Sequence, residues 1–74
     1  MLNGIQAQTY VVEREAEHWT KLRDWNALNR KLSPIETGIL EIACSIPRRI
    51  PTEKQAPVLI EAEKRAIEEG FHPG

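Results

Sequence analysis

The residues of this chain predict a small all-α fold, a three-helix bundle with helices over residues 9–31, 34–46 and 53–69. Three observations carry that expectation. Apolar residues recur at helical spacing through each segment. Two capping boxes, Ser33-Pro34-Ile35-Glu36 and Thr52-Glu53-Lys54-Gln55, mark helix starts. Apart from a weak stretch from Ala7 to Val12, no alternating run is bounded by turn residues, so strands are not expected. The organisation that follows is a flexible lead-in over residues 1–8, one helical domain over 9–71 and a tail at 72–74.

The first helix is expected to start near Thr9, a residue suited to an N-cap, and to run without proline or glycine to about Lys31. Glu13, Arg14, Glu15, Ala16 and Glu17 favour helix, and Glu17 stands four residues before Lys21 in the favourable order. Its apolar residues do not share one stripe. Val11, Val12, Trp19 and Leu22 lie on one sector, and Trp25, Leu28 and Leu32 on a neighbouring one. Either this helix curves over the other two, or its N-terminal half packs on something else, for which a second copy of the chain would serve.

The second helix opens on Ser33, with Pro34 at the first helical position and Glu36 closing the capping box. It stops before Pro47. Ile35, Ile39, Ile42, Ala43 and Ile46 form one apolar stripe, and Leu40 with Cys44 a second on the far side, the pattern of a central helix. The connector Pro47-Arg48-Arg49-Ile50-Pro51 cannot continue a helix. In the third helix Pro57 falls one turn inside and removes the bond to the Glu53 carbonyl. The apolar face is Ala56, Leu59, Ile60, Ala66 and Ile67. Gly70 is placed as a left-handed C′ residue, with Phe71 folding back on the last turn.

Seventy-four residues form one domain at most, burying only ~60% of the surface the open chain exposes. One cysteine, Cys44, excludes an internal disulfide, and no Cys/His spacing matches structural zinc. A thin core without a staple points to self-association or a docking surface. Ten basic and eleven acidic side chains give a net charge of −1, not the signature of a dedicated DNA binder. No apolar run spans a membrane, and the first residues lack the features of a signal peptide, so a cytoplasmic protein is expected.

Arg48 and Arg49, with Lys54, place positive charge beside the start of the third helix, whose free N–H groups favour anions. Arg30 and Lys31 close the first helix and are expected at the same end of the bundle. The functional reading is a phosphate contact, on nucleic acid or another anionic partner; the plainer and favoured one is a solvated loop whose arginines pair with local Glu. Trp19 and Trp25 project about 120° apart on an ideal helix. One of them, with Trp19 the preferred choice, is therefore expected to be partly exposed and available to a partner. Val12, on the split apolar face of the first helix, and Leu40, on the far side of the two-sided second helix, join them as candidate interface residues.

Glu63 interrupts the apolar face of the third helix. The favoured reading is an edge position reaching water; the alternative is a carboxylate paired with a basic group or an indole N–H across the bundle. Cys44, His18 and His72 match neither a metal site nor a Cys–His dyad, and no glycine-rich phosphate loop exists. No catalytic residue, metal, cofactor or small-molecule substrate is indicated. A helix-turn-helix with Thr52, Lys54, Gln55 and Val58 reading bases is opposed by the double-proline connector and by Glu53, Glu61, Glu63, Glu68 and Glu69.

The pattern Trp19, Leu22, Trp25, Leu32-Ser33, Glu36, Ile39-Leu40, Ala43, then Ile50-Pro51-Thr52-Glu53-Lys54-Gln55-Ala56, Leu59, Ala66 and Gly70-Phe71 is similar to the helical C-terminal segment of bacterial abortive-infection phage-resistance (AIPR-type) proteins. Its most specific piece is Pro51 to Ala56. The resemblance implies a bacterial or phage origin and a phage-defence or nucleic-acid setting, and no activity for the segment itself. Together these readings give a non-enzymatic interaction module that docks to a protein or to its own copy. The alternative is a nucleic-acid-binding module using Arg48, Arg49, Lys54, Arg30 and Lys31.

Overall fold

The computed structural model describes residues 3–72. Among them the chain is all-helical, in four helices rather than three: α1 (Gly4–Glu13), α2 (Glu15–Asn29), α3 (Pro34–Ala43) and α4 (Gln55–Glu68). None is long and apolar enough to cross a membrane. The correction lies in the first expected helix. It starts at Gly4 and breaks in two at Arg14–Glu15.

The early start has a local cause. Asn3 and Gln6 form a capping box: Asn3 Oδ1 accepts from the Gln6 amide at 2.9 Å, and Gln6 Oε1 accepts from the Asn3 amide at 3.2 Å. Thr9, expected as the cap, instead sits inside α1 and donates back to the Ile5 carbonyl. Residues 4–8 are thus helix, not lead-in; residues 1 and 2, like 73 and 74 of the expected tail, lie outside the described residues. Gly4 permits a close approach. A Cβ there would stand 2.8 Å from Glu53 Cβ and 3.0 Å from the Glu53 carbonyl oxygen, so α1 begins against the turn that precedes α4.

At the break, Glu15 takes φ 66°, the left-handed region, at a cost of about 1–2 kcal/mol for a residue with a Cβ. A continuous helix would pair the Val11 carbonyl with the Glu15 amide. Here the indole of Trp19 donates to that carbonyl at 2.9 Å, across the break. The kink turns Ala7 and Val11 of α1 and Trp19 and Leu22 of α2 onto one core. The winding apolar face of the sequence is resolved by re-aiming half of it.

α2 ends on Arg30, also left-handed at φ 51°. The side chain of Asn26 is buried there and its Oδ1 accepts from the amides of Lys31 and Leu32, each at 3.0 Å. Ser33 and Glu36 form the expected capping box, with Pro34 at the first position. α3 is three residues shorter than expected, ending at Ala43 instead of Ile46. Beyond it the chain tightens into turns, with Ser45 and Ile46 donating to Ile42 and Ala43. Pro47 has no amide with which to extend the ladder. The stripe also shifts: Ile39, Leu40 and Ala43 are buried, while Ile35 is exposed.

The turn before α4 carries the second capping box, Thr52 with Gln55. Pro57 cannot bond the Glu53 carbonyl, so the regular helix starts at Gln55 and Pro57 is its third residue. At the other end Gly70 has φ 115° and the Phe71 amide reaches the Ala66 carbonyl at 2.9 Å, the Schellman closure that buries Phe71. α1 packs chiefly on α4, and α3 packs on both α2 and α4. Trp19, Leu22, Leu40 and Leu59 fill the centre.

Asn26→Ala removes the acceptor for two backbone amides at the α2–α3 turn. It is expected to lower stability by about 1–3 kcal/mol, read as a lower urea midpoint with an unchanged slope.

Candidate functional site

Glu63 is the feature that most departs from the sequence expectation. It does not reach water: the residue is 4% exposed. It lies mid-α4 because a helix with Leu59, Ala62 and Ala66 turned inward must turn position 63 inward too. Two helices supply its partners. Tyr10 Oη, from α1, donates to Oε1 at 2.6 Å, and His18 Nε2, from α2, meets Oε2. The His18 ring stands edge-on to Trp19, with centroids 4.6 Å apart, and meets Phe71 in a second T-shaped contact at 6.1 Å. The Arg14 guanidinium lies 4.7 Å from the Tyr10 ring centroid.

Burial pushes the Glu63 carboxyl up, but the hydrogen bonds from His18 and Tyr10, with the charges of His18 and Arg14, outweigh it. The carboxyl is held below its ordinary range. Burial, and then the bond to Glu63 and its charge, push the Tyr10 phenol up against the opposing effect of Arg14. Both carboxylate oxygens are occupied, so the cluster ties three helices. Among the described residues, no buried side-chain polar atom is left without a partner. A second tie joins Arg65 of α4 to Glu36, whose other oxygen belongs to the Ser33 capping box.

The described residues contain no cluster of three or more His, Cys, Asp or Glu side chains arranged for a metal. Burial raises the Cys44 thiol, which disfavours the reactive thiolate.

The five basic candidates do not converge. Arg48 and Arg49 lie exposed in the turn after α3, and Lys54 lies exposed just before α4. Lys31 instead reaches Glu69 at 3.6 Å, at the C-terminal end of α4, about 21 Å of helix away from Lys54. Arg30 caps α2 beside Lys31. The single basic end expected from sequence is therefore two separate ends. The Gln55 amide at the start of α4 is already capped by Thr52, which leaves one donor fewer for an anion.

The aromatic expectation is reversed. Trp19 is fully buried, as is Leu40, so neither presents an interface. Trp25 is the half-buried tryptophan, tilted against Phe71 with centroids 5.9 Å apart. Val12 is half-buried and lines a cleft of about 330 Å³ with Ile5, Gln8, Thr9, Glu13 and Ile50. Ile5 and Ile50 are 65% and 48% exposed around it. A second cleft of about 370 Å³, formed by Asn3, Gly4, Ile5, Glu53 and Lys54, continues from Ile5. Ile5 escaped the sequence reading because it fell in the supposed lead-in, although the Asn3/Gln6 capping box was there to find. Ile50 was hidden in the connector. Leu28 and Ile35, on either side of the α2–α3 turn, are 88% and 74% exposed.

No protein-family model, curated protein or solved structure matches the chain.

Glu63→Ala strands His18 and Tyr10 and is expected to cost about 3–5 kcal/mol, measured by urea unfolding at neutral pH. The sign of the pH dependence follows from a depressed carboxyl. Its contribution is complete above the ordinary glutamate value near 4.5 and is lost as pH falls through the lower folded value. Glu63→Gln should flatten that acid limb of the stability profile.

Proposed function

We propose that this chain is a small non-enzymatic helical interaction module of bacterial or phage origin. It docks to a protein, a second copy of itself included, through the apolar groove between α1 and the α3–α4 connector. The observation that carries the reading is the pairing of exposed Ile5 and Ile50 around the cleft lined by Val12. Apolar side chains grouped in a concave site are what docking helices and loops fill. The thin core of a 74-residue chain adds support, because a partner supplies burial the chain lacks. The non-enzymatic part rests on the absence of a catalytic motif in the sequence. The phage-defence setting, and with it a cytoplasmic location, rests on the resemblance to abortive-infection proteins and on the composition.

The nucleic-acid alternative narrows to Arg48, Arg49 and Lys54, since Arg30 and Lys31 lie at the other end of α4. It requires retention on DNA or RNA that falls steeply with salt and is weakened for all sequences alike by Arg48→Ala with Arg49→Ala. No retention at low salt ends it.

For the docking reading, sedimentation velocity of wild type is expected to give a mass that rises above 8.5 kDa with concentration, or a retained cellular protein that co-sediments. Ile5→Glu and Ile50→Glu should each weaken that association by about 2 kcal/mol or more while leaving the helical circular dichroism intact. A wild-type monomer at every concentration, with no partner that these substitutions release, overturns it.

A further inference from the structure

We propose that the Tyr10–Glu63–His18 cluster is an acid-released latch: protonation of Glu63 frees α1, which leaves the domain about the Arg14–Glu15 junction while α2, α3 and α4 stay packed. The first support is how few buried side chains α1 brings to the core it packs on. It buries two small side chains, Ala7 and Val11. Its polar ties across the fold are Tyr10 to Glu63, Gln8 Nε2 to the Pro51 carbonyl at 3.0 Å, and the Val11 carbonyl to the Trp19 indole. The larger apolar groups, Trp19, Leu22, Leu40, Leu59 and Phe71, all belong to the remaining three helices or the turn after them. α1 thus contributes fewer buried side chains than any of the other three helices.

The second support is the junction. Arg14 closes α1 and Glu15 reverses the backbone at φ 66°, so no helical ladder couples α1 to α2. Movement there breaks no α-helix. A freed ten-residue segment is below the ~12–15 residues that hold a helix alone, so it melts once detached.

The third support is the chemistry at Glu63. The groups facing it are Tyr10 from α1, Arg14 from the junction and His18 from α2. The acid of α3 nearest in role, Glu36, is bound to Arg65 instead. Both groups that bear on the carboxylate electrostatically, Arg14 and His18, are basic. A proton taken from solvent removes the negative charge they share and the charge assistance to both hydrogen bonds. It also puts a new O–H donor opposite Tyr10 Oη or His18 Nε2. Tyr10, which leaves with α1, is part of what holds the carboxyl low, so folding of α1 and loss of the proton are linked.

Amide hydrogen exchange of the full chain, followed by NMR across the acid range and corrected for intrinsic exchange, tests the latch. Amides of Gln8 to Val12 are expected to lose protection as pH falls from the ordinary glutamate value near 4.5 toward the lower folded one, by up to about tenfold per pH unit, the limit for one-proton linkage. Amides of Leu40, Leu59 and Ala62 should keep theirs over the same interval. In Glu63→Gln the α1 amides should show no such acid step. Tyr10→Phe, which leaves the carboxylate and His18 in place, should move the step to higher pH and serves if Glu63→Gln does not fold. Simultaneous loss of protection in α1 and α3, or a step that Tyr10→Phe leaves in place, overturns the proposal.

Discussion

A charged carboxylate buried in a 74-residue protein sets the terms for the rest of the fold. Removing an ion such as Glu63 from water costs several kcal/mol unless its lone pairs are met. Total stability for a domain of this size is only on the order of 4–10 kcal/mol. Glu63 therefore has to be satisfied from both sides, and it is, by Tyr10 and His18. That requirement fixes α1 on one flank of α4 and α2 on the other. His18 in turn is held by the edge of Trp19 and by Phe71, so the polar tie and the apolar centre share walls.

The break at Arg14–Glu15 follows from the same demand. In an unbroken helix over residues 4–29 Tyr10 and His18 stand about 12 Å apart along the axis, too far to meet on one carboxylate. One left-handed residue folds the two segments toward each other. Its backbone cost is offset locally, since the Trp19 indole takes up the Val11 carbonyl that the break leaves without its helical amide. The largest fully buried side chain, Trp19, is thus both the centre of the core and the clasp of the kink.

Placing α1 across α4 also determines the outer surface. Its inward face carries Ala7, Val11 and Tyr10, so Ile5, Thr9 and Val12 are left on the other flank, where Ile50 meets them. The groove offered to a partner and the tie to Glu63 are two sides of one ten-residue helix. Charge plays a smaller part in this surface than the sequence suggests. The five basic candidates divide between the two ends of α4, and Lys31 pairs with Glu69.

Local chemistry was legible in the residues themselves. Caps, prolines and glycine act through neighbours three to five positions away, so Ser33/Glu36, Thr52/Gln55 and the Gly70–Phe71 closure stand where the sequence puts them. The Asn3/Gln6 box was equally local and equally readable. The all-α class followed from the same signals. What the tertiary structure alone decided is how each helix is rotated about its axis: that Trp19 and Leu40 face inward, that Ile5 and Ile50 face out, and that Glu63 is a buried partner of Tyr10 and His18. Those partners stand 53 and 45 residues from Glu63. Periodicity within one helix sets position 63 beside the apolar face, where an edge reaching water is the favoured reading, and cannot say what meets it, because only packing brings three separate segments to one carboxylate.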